Sequence, residues 1–316
     1  MNYEQTLQSV EIAKMYYIQN KTQAEIAREL CMSRSNVSRI LTRSVENGLV
    51  EIKINDPMSE IPQVASHIAK AFRLQEVIIS QTSSDISRTL RNIADHLATF
   101  LSGELKRDML LGVTGGRSLA YTARTFSSSF SMTVDIVQFH GNTHNVSNPV
   151  NPSSIVETFT RKLHGHGFLL NAPIMVQSSE TKKLLMLTPT IADIFEKYRH
   201  VDIAMLDITM PQTNISPQLR EPWLLPSDAA QLQELQATTC VCGHYFNIHG
   251  HSCNAGVFDR TMAIDFDTLM KVPLRIGIAC DPSHLTATIG AINSGLINVL
   301  FIDESLALGI QEYCNT

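Results

Sequence analysis

Apolar positions in the first 48 residues recur at helical spacing, and they predict three helices. Val10, Ala13, Met15, Tyr17 and Ile18 line the first, which ends near Asn20. The second opens at Thr22-Gln23-Ala24-Glu25. Thr22 can cap the helix while Glu25, three residues on, reaches back, a reciprocal capping box. Ala24, Ile26, Ala27 and Leu30 form its buried side, and Cys31-Met32 leaves room only for a tight turn. Ser33 then caps a third helix with Val37, Ile40, Leu41 and Val45 inward and Gly48 at its end. The next residues, LVEIKIN, alternate apolar and charged as a strand does.

Asn55 to Ser59 reads as a linker, with Pro62 close behind. Beyond it the period changes. Glu76–Ser80, Met109–Val113, Val134–Phe139, Phe168–Val176, Val201–Ile208, Leu274–Cys280 and Asn298–Asp303 are short apolar runs that predict buried strands. Helical stretches separate them at Ile86–Leu101, Ser118–Phe126, Ser153–His164, Ser227–Gln236 and Leu285–Gly295. Alternation of this kind implies an α/β fold with a mostly parallel sheet covered on both faces. The expected organisation is a helix-turn-helix domain with a winged-helix-like strand at residues 1–55, a linker at 56–62 and a larger α/β domain at 63–316.

Composition adds little to this picture and removes some alternatives. At 316 residues, with 44% hydrophobic and 17% charged positions, the chain can bury a sizeable core. The opening MNYEQTLQSVEI lacks the order of a signal peptide, and no apolar run is long enough to cross a bilayer, so a cytoplasmic protein without a membrane partner is expected. The six cysteines are few for this length and cluster late, unlike a disulfide framework.

Charge carries more information. The net charge is −5, yet Arg34, Arg39 and Arg43 gather in one helix with no acid before Glu46. Two helices joined by a brief turn, the second led by Ser-Arg-Ser-Asn, match a helix-turn-helix that puts its second helix in the major groove of double-stranded DNA. Arginine pairs bidentately with guanine and asparagine with adenine. Arg34, Ser35, Asn36, Ser38 and Arg39 are therefore expected to face bases, and Arg43 a phosphate. Thr22 and Gln23, at the start of the second helix, are expected to hold phosphate through side chain and backbone. Lys53 would assist from the wing.

MYYIQNKTQAEIARELCMSRSNVSRILTRSVENGLVEIKI at the front resembles the SorC family of bacterial transcriptional regulators, the DeoR-like sugar-binding regulators. LLGVTGGRSLAYTA, FLLNAPIMV, LRIGIA and AINSGLINVLFIDESLA extend the resemblance over nearly the whole chain. It implies an effector domain related to sugar-phosphate isomerases and CoA transferases. It also implies a homo-oligomer, dimer or tetramer, that represses or activates a carbohydrate operon under control of a sugar-like metabolite.

GVTGGRS joins a predicted strand to a helix, where glycines admit a ligand to the backbone and free N–H groups attract an anion. Thr114, Gly115, Gly116, Arg117 and Ser118 are the expected effector loop. It is neither a Walker motif nor a dinucleotide fingerprint, so no nucleotide cofactor is expected. Gly141, Asn142 and Asn151 follow the next strand toward the same crevice. Where the family usually has Gly-x-Gly, this chain has Asp207-Ile208-Thr209. Cys240 aligns with an acidic position. Cys280, Asp281 and His284 replace two glycines and a lysine. Loss of that lysine removes a fixed cation and points away from an ordinary phosphorylated sugar.

Two other readings remain open on the sequence. One is an isomerase or transferase with a DNA-binding appendage, using Asp207 or His284 as general base. The other is a metal-responsive regulator built on Cys240, Cys242, His244, His249, His251 and Cys253, with the first three on one face of a strand. No bound metal or catalytic residue is assigned. His164 and His166 read as loop residues, and Trp223 as part of a proline-rich loop from Pro211 to Pro226.

Overall fold

The computed structural model describes residues 3–50, 60–126, 133–143, 149–211, 224–253 and 256–315. The expected wing beyond Val50, Lys53, the linker residues 56–59 and Trp223 lie outside them. Two compact units are present, Met1–Ser59 and Glu60–Thr316.

In the first unit, α1 (Tyr3–Ala13) passes into a single π-helical turn (Lys14–Ile18), and α2 (Gln23–Glu29) and α3 (Arg34–Glu46) follow. Ile12, Met15, Ile26, Ala27, Val37 and Leu41 form its core. The predicted capping box is present: Thr22 Oγ1 accepts from the Glu25 N–H, and Glu25 accepts from the Thr22 N–H at 2.8 Å. Cys31, at φ +52, makes the turn. Met32 N–H donates to Ala27 O and Cys31 N–H to Arg28 O, which closes α2 in a Schellman motif. Gly48, at φ +69, closes α3 in the same way, with Leu49 N–H on Ser44 O.

The second unit runs α4 (Ile61–Phe72), β1 (Glu76–Ser80), α5 (Ile86–Glu104), β2 (Leu110–Val113), α6 (Arg117–Thr125), β3 (Val134–Gln138) and α7 (Pro152–Leu163). It continues through β4 (His164–Phe168), α8 (Ser179–Met186), α9 (Pro189–Lys197), β5 (Ile203–Asp207) and α10 (Pro226–Glu234). The last elements are β6 (Thr239–Val241), β7 (His244–Phe246), α11 (Phe266–Met270), β8 (Leu274–Ile278), α12 (Leu285–Asn293), β9 (Val299–Asp303) and α13 (Glu304–Cys314). Seven strands form a parallel sheet in the order β1-β9-β8-β5-β2-β3-β4, and β6-β7 is a separate antiparallel hairpin. Strand side chains alternate between the two faces. Ile203, Met205, Ile276 and Ile278 pack on α5, α6 and α7, and Ala204, Leu206, Leu300 and Ile302 pack on the opposite side against α4, α12 and α13.

Two expectations are corrected. Pro62 belongs to the first turn of α4, where its missing N–H costs nothing, and not to a linker. The strand expected at Phe168–Val176 lies just upstream, at His164–Phe168, so His164 and His166 stand on a sheet edge instead of in a loop. A side chain at Gly165 would lie 1.8 Å from Val134 O, so the backbones of β3 and β4 meet only because that position is glycine. The apolar run after it makes single bridges, Asn142 with Pro173 and Met175 with Thr261, because Pro173 cannot donate to a ladder.

α10 is anchored by a buried ion pair: Arg260 Nη2 donates to Asp228 Oδ2 at 2.6 Å, with the two side chains 13% and 10% exposed. Removing one partner leaves a buried charge behind. Arg260→Ala is expected to lower unfolding free energy by about 3 kcal/mol, read from the urea midpoint of the second unit's transition.

Candidate functional site

Both candidate surfaces follow from how elements end. In the first unit the Ser33 hydroxyl accepts from the Asn36 N–H at 3.2 Å and fixes the start of α3. Val37 and Leu41 point into the core, so Arg34, Ser35, Arg39 and Arg43 are exposed and Asn36 and Ser38 half-exposed on the other side. Arg39 Nη2 donates to Asn36 Oδ1 at 2.9 Å, which aligns two of the expected base-reading groups with each other. Thr22 differs from expectation. Glu25 Oε2 accepts from both its N–H and its hydroxyl, and these bonds hold the Glu25 carboxyl below its usual pKa. A phosphate at Thr22 would have to displace that carboxylate. Gln23 is half-buried on the first turn of α2.

In the second unit the chain runs from β2 outward to β3 and β4, then returns to β5 beside β2 and proceeds through β8 and β9 the other way. Strand order therefore reverses between β2 and β5. Open parallel sheets bind ligands at that reversal, outside the carboxyl ends of the strands. Thr114 to Ser118 follow β2, Asp207 ends β5, and Cys280 and Asp281 follow β8.

Thr114 is a fastener and not a free donor. Its N–H donates to Met205 O, its hydroxyl to Gly115 O at 3.0 Å, and its oxygen accepts the Asp207 N–H at 3.0 Å. The Gly115 N–H donates to His140 Nε2 at 3.0 Å, and His140 Nδ1 in turn lies 2.9 Å from Gly141 O. That pattern assigns the Nδ1–H tautomer, and burial lowers the His140 pKa and keeps the ring neutral. The Gly116 N–H donates to Val150 O. The two glycine amides expected to be open are thus taken by the protein. Gly141 passes against Pro173, with its N–H on Met262 O. Asn142 Oδ1 accepts from Gln138 Nε2, and Asn151 Oδ1 accepts from the Thr143 N–H and hydroxyl. These three residues frame the loop from behind.

Gly116 sits at φ +143, and a Cβ there would fall 2.4 Å from Asp207 Oδ2. The carboxylate therefore lies directly on the loop, at the start of α6. Burial raises its pKa from 3.8 to about 7, opposed by the Arg117 guanidinium and a Ser118 hydrogen bond. Arg117 is exposed and also acts on Asp281, Cys280 and His284. Bonds from Ser283 hold the Asp281 carboxyl low; its backbone is left-handed at φ +83, where a glycine would rest without strain. Burial pushes the Cys280 thiol up to about 12, and burial lowers the His284 pKa.

Sequence reasoning missed Asp303. It is buried at the end of β9, accepts from the Thr82 hydroxyl and the Asp281 N–H at 2.8 Å each, and so positions the loop after β8. The signal was an acid closing an apolar strand, VLFID.

Cys240 is joined to Thr209 through both backbone groups, near the end of β5, and burial raises its thiol pKa. The expected common face of Cys240, Cys242 and His244 does not exist. Cys242 and Gly243, both at positive φ, make a two-residue hairpin turn of the primed kind that the strand twist favours. His244 is buried, with Nε2 paired to Ile264 O and its ring stacked on Phe258, while His249 and His251 are exposed. Among the described residues no three His, Cys, Asp or Glu side chains converge on a metal position.

A helix-turn-helix unit followed by a parallel-sheet unit whose strand order reverses between β2 and β5 is the fold of the SorC-type regulators. The chain belongs to the family whose model is described as "Putative sugar-binding domain", matched over residues 56–311; a second model, "Sigma-70, region 4", matches residues 10–47. The deoxyribonucleoside regulator of Bacillus subtilis (strain 168) is 22% identical over 308 residues, covering 97% of this chain and 98% of that protein. The sorbitol operon regulator of Klebsiella pneumoniae is 22% identical over 306 residues, covering 94% of this chain and 95% of its own length. The crystal structure of that full-length regulator superposes with a TM-score of 0.74 over 98% of this chain and 99% of the other. Both relatives are named as regulators. No described helix is long and apolar enough to cross a membrane.

A folded-state pKa raised above the unfolded value means that the carboxylate form of Asp207 weakens the fold. The cost is absent at pH values below about 4, grows as pH rises, and is complete above about pH 7. Asp207→Asn is therefore expected to raise the melting temperature at pH 8 and to change it little at pH 4, checked by thermal melts across that range.

Proposed function

We propose that the protein is a sequence-specific transcriptional regulator of a carbohydrate operon, controlled by a small sugar-like effector. Its first unit binds double-stranded operator DNA. Its second binds the effector between β2 and β5, and it works as a homo-oligomer, dimer or tetramer, in the cytoplasm. The observation that carries this reading is α3: three exposed arginines and an aligned Asn36 on the side opposite the buried Val37 and Leu41, on a helix fixed by a cap at Ser33. A chain of net charge −5 has no bulk attraction for DNA, so affinity must come from that local face. An oligomer with twofold symmetry presents two such helices to a palindromic site. Effector control follows if the ligand binds the DNA-competent and incompetent arrangements unequally.

An enzymatic role would ask Asp207 or His284 to act as general base. Asp207 has a pKa suited to that task, but it is engaged with Arg117 and Ser118. Its raised pKa serves the binding role as well, so no observation favours turnover.

Gel-shift titration against upstream DNA of the chain's own operon tests the proposal. Arg34→Ala and Arg39→Ala are each expected to weaken specific binding by about 1–3 kcal/mol and to relax sequence preference, whereas Arg43→Ala weakens all sequences alike and lowers the salt slope by about 1. Absence of any sequence preference at physiological salt would refute it.

A further inference from the structure

We propose that the effector held at the Arg117–Asp207 crevice is a neutral polyhydroxylated molecule, a sugar or alditol without a phosphate ester, because Asp207 already occupies the anion position of the loop. The inference rests on reading this crevice as the effector site. Three observations lead to it.

Two of the loop's N–H groups are spent internally. A glycine-rich turn entering a helix attracts phosphate through free N–H groups. Here the Gly115 N–H is given to His140 Nε2 at 3.0 Å and the Gly116 N–H to Val150 O at 2.9 Å. The Asp207 carboxylate rests against Gly116 at the start of α6, so close that a single Cβ on the glycine would collide with Oδ2. The Ser118 hydroxyl hydrogen-bonds that carboxyl, and the Arg117 charge acts on it.

The surrounding charges repeat the message. Asp281 also shares Arg117 and is held in its ionised form by Ser283. The buried Asp303 stands behind it, bonded to the Asp281 N–H. His284 has its pKa lowered by burial and adds no second positive charge at neutral pH. Arg117 is a permanently charged cation acting on both Asp207 and Asp281. A phosphate dianion would bring two more negative charges beside the Asp281 carboxylate, and beside that of Asp207 at pH values above about 7.

The hydrogen-bond roles agree. An ionised carboxylate only accepts and a guanidinium only donates. A phosphate dianion has no proton to offer Asp281, nor Asp207 once that carboxyl ionises above about pH 7. A hydroxyl donates to one group while accepting from the other. A vicinal diol can place two O–H donors on the paired oxygens of one carboxylate and offer its own oxygens to Arg117.

The test compares matched pairs of alditols and aldoses with their monophosphates, titrated by calorimetry into the full chain, its Asp207→Asn variant and its Asp281→Asn variant. Asparagine is isosteric with the aspartate that already holds φ +83 and ψ +136 at position 281, so that variant guards against a folding failure at 207. In the wild-type protein the neutral member of at least one pair is expected to bind at least about tenfold more tightly than its ester, and both variants shift that ratio toward the ester. A wild-type preference for the ester, binding of neither member of any pair, or a ratio unchanged in both variants would overturn the proposal. Operator binding is measured on the same preparations. A phosphate ester that binds and releases DNA sinks this inference and leaves the regulator standing, whereas loss of all sequence-specific DNA binding strikes at the regulator itself.

Discussion

The second unit depends on the seam between β2 and β5. A parallel pair has evenly spaced but slanted bonds, slightly weaker per residue than an antiparallel one. Here Leu111, Gly112 and Val113 pair with Ile203, Ala204 and Met205. Thr114 then extends the seam by one residue with two bonds, its N–H to Met205 O and its hydroxyl oxygen from the Asp207 N–H. That register fixes the height at which Asp207 leaves its strand, and so its approach to Gly116. A shift of one residue would turn Asp207 to the opposite face of the sheet and leave the loop without its internal anion.

The order reversal at the same seam explains why the chemistry is gathered there. Residues from β2, β5, β8 and β9 reach one end of the sheet because every strand points the same way. Through the Asp281 N–H, Asp303 sets the position of a carboxylate on which the Arg117 charge acts. The recognition helix of the first unit is built by a different economy. It is held through its unit's core and by local caps, and its polar side carries the bond between Arg39 and Asn36 and the contact of Ser35 with the Ser33 hydroxyl.

Much of this was legible in the sequence where local signals and burial agreed. Thr22 with Glu25, Ser33 with Asn36, and Gly48 all act as their residue types suggest, since caps are made within one turn of chain. Six of the strands were readable because a strand buried on both faces must be apolar throughout. β4 was not, because an edge strand needs only one partner and tolerates His-Gly-His-Gly, while the apolar run after it carries Pro173. The site was legible as a set of residues but not as a network. That Gly115 and Gly116 lend their N–H groups inward, and that Cys242 turns a hairpin, depend on contacts with distant segments such as Val150 and His140, which no local pattern encodes. Asp303 stayed hidden because its role passes through the backbone of another loop.

β4 has a further consequence. Among the described residues it is the last strand of the sheet, so its outer row of peptide groups has no ladder partner there. A bare margin of this kind can recruit strands from other molecules and seed aggregation. The His166 ring, 81% exposed and 3.2 Å from Asp135, sets a polar obstacle on it. The alternating glycines deny an incoming strand the branched side chains that stabilise cross-strand packing. The same short, weakly hydrophobic stretch that escaped recognition as a strand therefore protects the sheet from growing beyond its own chain.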